Sequence, residues 1–196
     1  MTSQPLGLRE RKKLRTRAAI RTAAMRLFEE QGYATTTVEQ IAEAAEVSPS
    51  TFFRYFPTKE DTVLTDDYDP LIVAAIRAQP PEVPVVRAIL LGMRDVFANL
   101  SEPEWAAERR RQRLIETVPE LRSRQQQQTV AAVGMLAELI AEREGRPAAD
   151  EDARVVAGAL VGIILAAAPP GAGFQAHDFE RIEGALSALK RSLDGF

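Results

Sequence analysis

Apolar positions recur at intervals of three and four along most of the chain, the spacing that lines one face of an α-helix. Ile20, Ala23, Ala24, Leu27 and Phe28 form such a stripe within a breaker-free run over about 9–31, which Gly32 closes. A much shorter run follows over 38–46, in which Val38, Ile41, Ala42 and Ala45 repeat the spacing, Thr37 serves as N-cap and Gln40 stands three residues on. A new start signal comes at once. Ser48 caps, Pro49 suits the first helical position where a donor is not needed, Ser50 and Thr51 complete the turn, and the helix ends before Pro57. Helices this short do not hold alone, so they are expected to pack on each other and on a third element, with Val47, Phe52 and Phe56 inward.

The pattern then lengthens. Thr58 caps another helix, with Glu60 and Asp61 at its positive end. Its continuation over 63–79 is interrupted at Asp69-Pro70, where Pro70 either kinks one connecting helix into a hinge or separates two shorter helices. The segment 79–84, QPPEVP, is the clearest linker. Beyond it Val86, Ile89, Leu90, Met93, Val96, Phe97 and Leu100 keep helical spacing, a shorter helix from Ser101 or Glu102 carries Trp105, and Pro119 opens a long one. That long helix, over 120–144, has neighbouring stripes in Met135 with Leu139 and Leu136 with Ile140. Over 150–168 small residues (Ala153, Ala157, Gly158, Gly162) are interspersed with branched ones, predicting close backbone approach and burial nearly all round. The chain turns over 169–173, and Asp178 caps a last helix with the single stripe Phe179, Ile182, Leu186, Leu189 and Leu193.

Composition narrows the function classes. At 196 residues and 45% hydrophobic content the chain has ample material for a core. Cysteine is absent, which excludes disulfides and thiolate metal sites and suits an intracellular protein. The longest apolar run, 157–168, is shorter than a membrane span and interrupted by glycine, and the first residues lack an apolar signal core, so a cytoplasmic protein without membrane contact is expected. The lone His177 sits beside a helix cap where surface packing explains it, and no G-x-S-x-G, Walker A, H-E-x-x-H or dinucleotide fingerprint occurs. An enzyme is therefore not expected, nor a cofactor or a metal.

The net charge of −3 hides an asymmetry. Residues 1–60 carry ten Lys and Arg against seven Asp and Glu, a net of +3, whereas 61–196 carry fifteen against twenty-one, a net of −6. Arg9, Arg11, Lys12, Lys13, Arg15, Arg17, Arg21 and Arg26 precede the pair of short helices, and over 9–26 Glu10 alone opposes them, which gives a footprint for phosphates. With Phe52 and Phe56 inward, the second short helix presents Ser48, Pro49, Ser50, Thr51, Phe53, Arg54 and Tyr55 on a face that suits a DNA groove. Its hydroxyls reach phosphates or base edges, Arg54 offers a bidentate pair to guanine, and Phe53 or Tyr55 meets a thymine methyl or a sugar.

The string T-T-V-x-x-I-A-x-x-A-x-V-S-x-x-T-F-F-R-Y-F-x-x-K-E over 36–60 resembles the N-terminal signature of the TetR family of bacterial transcriptional regulators. The resemblance implies an all-α homodimer of about nine helices. An N-terminal three-helix helix-turn-helix domain, taken as 1–75 with the motif at 37–56, binds a double-stranded operator, and a C-terminal helical domain, 76–196, holds a small-molecule effector and dimerises. It assigns Thr37 and Thr51 to phosphates, Pro49, Ser50, Arg54 and Tyr55 to the major groove, and Lys59 to a phosphate at the next helix start. Where the family usually has Gly, this chain has Glu46, so either Glu46 is left-handed or the turn is built differently.

For the effector, Met93, Phe97, Trp105, Arg109, Arg113 and Met135 are candidate binding residues. The arginines 109–113 beside Trp105 either receive a carboxylate or phosphate or form a charged outer face paired with Glu108 and Glu116. Gln125, Gln126 and Gln128 either line a cavity or belong to a solvated half-helix. The layout of this region resembles the TetR branch with an acyl-CoA-like ligand-binding domain. Leu160, Ile164, Phe179, Ile182, Leu186 and Leu189 are expected at a four-helix dimer interface. The reading is thus of a ligand-responsive regulator, in the usual sense a repressor, released from a palindromic operator by an apolar or acyl-CoA-like effector; a ligand-independent DNA-binding protein and a helical enzyme are the alternatives.

Overall fold

The computed structural model describes residues 7–65, 68–167 and 178–194. Every regular element among them is helical: α1 (Leu8–Gln31), α2 (Val38–Ala44), α3 (Pro49–Tyr55), α4 (Asp61–Leu64), α5 (Asp69–Arg77), α6 (Val85–Ala98), α7 (Glu102–Thr117), α8 (Pro119–Glu144), α9 (Glu151–Ala167) and α10 (Asp178–Leu193). The expectations for His177 and for the turn over 169–173 lie outside the described residues. The all-α expectation holds. The element beyond the expected nine arises at Pro70, which sits in the first turn of α5, a separate helix from α4. There its missing N–H would have no intrahelical partner in any residue, so it starts a helix and does not kink one.

Two compact units divide after Thr65, short of the boundary expected at 75/76, because α5 lies along α6. In the first unit α1 buries Ile20, Ala23, Ala24 and Phe28 together with Ile41 and Ala42 of α2, Phe52 of α3, Phe56, Val63 and Leu64. Local signals begin and end the short helices as the chemistry requires. Thr37 and Gln40 form a reciprocal capping box, and Ser48 accepts from the Thr51 N–H at 3.1 Å. At the end of α2 the Val47 N–H reaches Ala42 O at 2.9 Å and the Glu46 N–H reaches Glu43 O at 3.0 Å, a Schellman closure. Glu46 therefore takes φ 55°, the left-handed alternative, in the place glycine usually fills.

In the second unit Ile76, Ile89, Leu139, Ile140, Ala157 and Leu160 are among the residues of one buried cluster, and Leu90, Ala167 and Ile182 form another. The α5–α6 crossing depends on Gly92: a Cβ there would stand 2.7 Å from the Ile76 backbone nitrogen. The segment 79–84 that reads as an interdomain linker is a tight connection within this unit. Arg143 of α8 donates to the carbonyls of Gln79, Pro80 and Val83, and Arg77 pairs with Glu142 at 2.7 Å. At the start of α7 the Ser101 hydroxyl and N–H donate to Glu104 at 2.6 and 2.7 Å and hold its carboxyl below the ordinary range.

Candidate nucleic-acid interface

α3 has two unlike faces. Phe52 and Phe56 are fully buried with ring centroids 6.0 Å apart, and they fix the helix on α1 and α2. Ser48, Pro49, Ser50 and Arg54 are exposed, Phe53 is 51% exposed, and Thr51 and Tyr55 are half-buried. The hydroxyls of Ser48 and Ser50 lie 2.9 Å apart and those of Ser48 and Thr51 3.0 Å apart, which sets a small polar cluster at the helix start. Arg54 stands with its guanidinium carbon 5.5 Å from the centre of the Tyr55 ring, a planar fork backed by an aromatic plane. Thr37 is exposed at the head of α2 with its hydroxyl occupied by the capping box.

Several cations have intramolecular partners instead. Lys59 donates to the carbonyls of Tyr33 at 2.9 Å and Thr36 at 3.0 Å and sits 4.4 Å from the centre of the Tyr33 ring, while the Tyr33 hydroxyl donates to Glu60 at 2.6 Å. Two of its three ammonium hydrogens thus lock the turn after α1, which leaves one for a phosphate. Arg17 donates to Tyr55 O at 3.4 Å over the Phe56 ring, and Arg21 donates to Thr65 O at 2.8 Å. Sequence reasoning counted both in the phosphate footprint. Their partners lie 38 and 44 residues away, so no local pattern announces them.

In the second unit Phe97 stacks on Trp105 at 5.7 Å and neighbours Tyr68 at 6.0 Å and Phe179 at 6.3 Å, with Arg94 5.5 Å from the Phe179 ring centre. Phe97 and Trp105 are thus brought together; Tyr68 and Phe179, the latter expected at the dimer interface, reach them from distant parts of the sequence, and Arg94 lies one turn before Phe97 on α6. Met93 is half-buried against the larger core cluster, Met135 is 41% exposed, Arg109 pairs with Glu102, and Arg113 is exposed. The arginine with the least exposed side chain in this run is Arg111, at 12%, held by Glu108 at 2.6 Å.

Of the expected interface residues, Leu160, Phe179 and Ile182 are buried within the chain itself, and Ile164 and Leu186 pack on both core clusters. Leu189 remains 40% exposed. Elsewhere on α9 and α10, Val155 at 70%, Leu165 at 59% and Leu193 at 56% are among the exposed apolar side chains. Between Val155 and Ala166 no charged residue occurs, and Val155, Ala159, Gly162 and Ala166, one face of α9, are all exposed.

A first unit of α1 to α4 with an outward polar-aromatic α3, followed by an all-helical second unit, is the architecture of a helix-turn-helix regulator. Residues 20–64 match the bacterial regulatory proteins of the TetR family, and residues 83–193 match the MftR C-terminal domain. The chain is 41% identical over 148 residues to the HTH-type transcriptional regulator TcmR of Streptomyces glaucescens, covering 71% of this chain and 65% of that one. It is 34% identical over 143 residues to the HTH-type transcriptional regulator EthR of Mycolicibacterium smegmatis, covering 68% of this chain and 63% of that one. It thus spans somewhat under two thirds of the length of these relatives. The crystal structure of Thermus thermophilus FadR, a TetR family transcriptional repressor in complex with lauroyl-CoA, superposes with a TM-score of 0.50 at 25% identity, covering 88% of this chain and 92% of that one. The chain belongs to the TetR family of bacterial regulatory proteins. Among the described residues no helix is long and apolar enough to cross a membrane.

Proposed function

We propose that the chain is a cytoplasmic, ligand-responsive transcriptional repressor that binds a palindromic operator as a homodimer. The observation that carries this reading is α3: a short helix clamped from behind by Phe52 and Phe56, with hydroxyls at its start and an aromatic-backed Arg54 on its exposed face. A recognition helix reads base edges with residues near its start, and phosphate contacts set its register. Ser48, Pro49, Ser50, Thr51, Phe53, Arg54 and Tyr55 make these contacts, with Thr37 and Lys59 at flanking phosphates.

A dimer presenting two such helices about 34–36 Å apart enters successive major grooves. The charge-free face of α9, with Leu189 and Leu193 of α10, supplies the self-complementary surface for it. The effector is amphipathic, with an apolar body met by Phe97 and Trp105 and an anionic head met by the arginines of α7; the lauroyl-CoA bound by the FadR relative has that chemistry. An effector that prefers another spacing of the recognition helices releases DNA by linkage, and a 100-fold loss requires a preference of about 2.7 kcal/mol.

The test is selection of bound duplexes from random DNA, followed by titration of the selected operator with and without medium-chain and long-chain acyl-CoA. A palindromic consensus that acyl-CoA releases is expected. Retention of random duplexes without a consensus overturns the operator reading, and a consensus untouched by any acyl-CoA overturns the effector class.

A further inference from the structure

Three hydroxyls crowd the start of α3, and counting their protons assigns what each can offer a partner. Ser48 Oγ accepts the Thr51 backbone N–H at 3.1 Å and donates its single proton to Thr51 Oγ1 at 3.0 Å. It also stands 2.9 Å from Ser50 Oγ with no proton left for that contact, so Ser50 is the donor there. We propose that Ser50 is thereby held as a hydrogen-bond acceptor toward DNA and selects, at one position of each half-site, a base with an exocyclic amino group, adenine or cytosine, over guanine or thymine. The inference rests on the regulator reading above and deepens it, from which residues meet DNA to what one of them requires of a base.

A hydroxyl has one proton and two lone pairs. Ser48 Oγ uses all three, its proton on Thr51 and its lone pairs on the Thr51 N–H and the Ser50 hydroxyl, so its part in the interface is to set the protons of its two neighbours. Ser50 is exposed, has no other hydrogen-bond partner among the described residues, and is left with its lone pairs to offer. Thr51 Oγ1 accepts from Ser48, so its own proton is the one available outside the cluster. A phosphate oxygen takes donors and a base amine takes acceptors. Thr51 suits the first and Ser50 the second.

The opposite ordering does not serve DNA. If Ser50 donated outward while Ser48 donated to it, the contact between Ser48 and Thr51 would need the Thr51 proton, and Thr51 would meet its phosphate with lone pairs alone. If Ser50 swung its proton outward by itself, its bond to Ser48 would be lost, which shifts the choice roughly two- to tenfold. In the major groove each base pair carries its amine on one strand, at adenine N6 or cytosine N4, and a keto oxygen on the other, at thymine O4 or guanine O6. An acceptor fixed over one strand therefore separates amino from keto bases without separating adenine from cytosine. That is the reverse of what the donors of Arg54 select.

The experiment selects bound duplexes from random DNA with the full chain and with Ser50→Ala, a change at an exposed side chain whose effect on the fold circular dichroism checks. At the position that relaxes in the variant, the parent is expected to favour amino over keto bases about tenfold, and Ser50→Ala by under about twofold with the rest of the consensus intact. Within the selected operator, purine in place of adenine or pyrimidin-2-one in place of cytosine at that position removes the amine alone. Parental affinity should then fall about tenfold and that of Ser50→Ala under about twofold, a comparison in which any change in the duplex itself cancels. Ser48→Gly keeps a tolerated N-cap but releases the Ser50 proton, so the amino-over-keto ratio should collapse toward one although Ser50 is present. A relaxed position at which the parent prefers keto bases, or no relaxed position at all, overturns the assignment. A Ser48→Gly variant with the parental ratio overturns the ordering through Ser48. A parent that yields no consensus overturns the regulator reading itself, a failure visible before any variant is made.

Discussion

The exposed face of α3 and the exposed face of α9 are both uncovered in the single chain, yet their chemistry differs. On α3, Ser48, Ser50 and Arg54 are groups that water satisfies, so the surface is stable alone and can exchange water for a polar partner. On α9, Val155, Ala159, Gly162, Leu165 and Ala166 are exposed and no charge occurs over three turns, a surface that water does not satisfy. The first face suits a transient partner and the second a permanent one. The contrast teaches that exposure alone does not name a binding site; what the exposed atoms lose in water names the class of partner.

The largest effect should come from breaking the apolar face. Val155→Glu/Leu165→Glu places two charges where a second copy would pack, without touching Leu160 or Ile182 inside the chain, and should give monomers in sedimentation. Without the second recognition helix, operator binding should weaken on the order of 100-fold or more, as linked binding predicts. A variant that remains dimeric with parental operator affinity would place the interface elsewhere. Leu186, which packs on both core clusters, is unsuited to this test because its replacement would damage the chain itself.

Lys59 sharpens the comparison from the other side, because it lies near the DNA-facing surface and yet holds the turn after α1. Lys59→Ala removes two charge-assisted hydrogen bonds to carbonyls and should lower the unfolding free energy by about 2–3 kcal/mol, read from denaturant unfolding. An unchanged midpoint would mean that those bonds contribute nothing and that Lys59 serves DNA alone.

Arg54→Ala should leave stability unchanged, since the side chain is exposed, and cost about 1–3 kcal/mol of operator affinity with relaxed base preference at one position of each half-site. Equal weakening on every sequence would place Arg54 on a phosphate. The smallest effect belongs to Glu46: Glu46→Gly removes a side chain from the left-handed region and should stabilise the first unit by up to about 1 kcal/mol in thermal unfolding, with operator affinity unaltered. Destabilisation would show that the Glu46 side chain contributes more than its backbone strain costs.

Much of this is legible from the amino acids alone. Thr37, Ser48 and Pro49 start helices by capping chemistry that acts within one turn, and the stripes in α1 and α6 announce which faces leave water. Glu46 could be narrowed to two conformations from its position in the turn. Whether a stripe is covered by its own chain or by another copy could not be read: Phe179, Ile182 and Leu189 share one stripe, yet the first two are buried at 2% and 0% while Leu189 stays 40% exposed. Periodicity records that a face is apolar and is silent about what covers it. The same holds for charge. Arg17 and Arg21 look like Arg9 and Lys12 in sequence, but the fold brings the Tyr55 and Thr65 carbonyls to them from distant parts of the chain. Gly92 is one more helical glycine until α5 crosses it at backbone distance. Local caps and periodicities act over one or two turns and so are written in neighbouring residues; partners for a cation, a glycine or an apolar face are chosen by helix packing across long separations, which the tertiary structure alone decides.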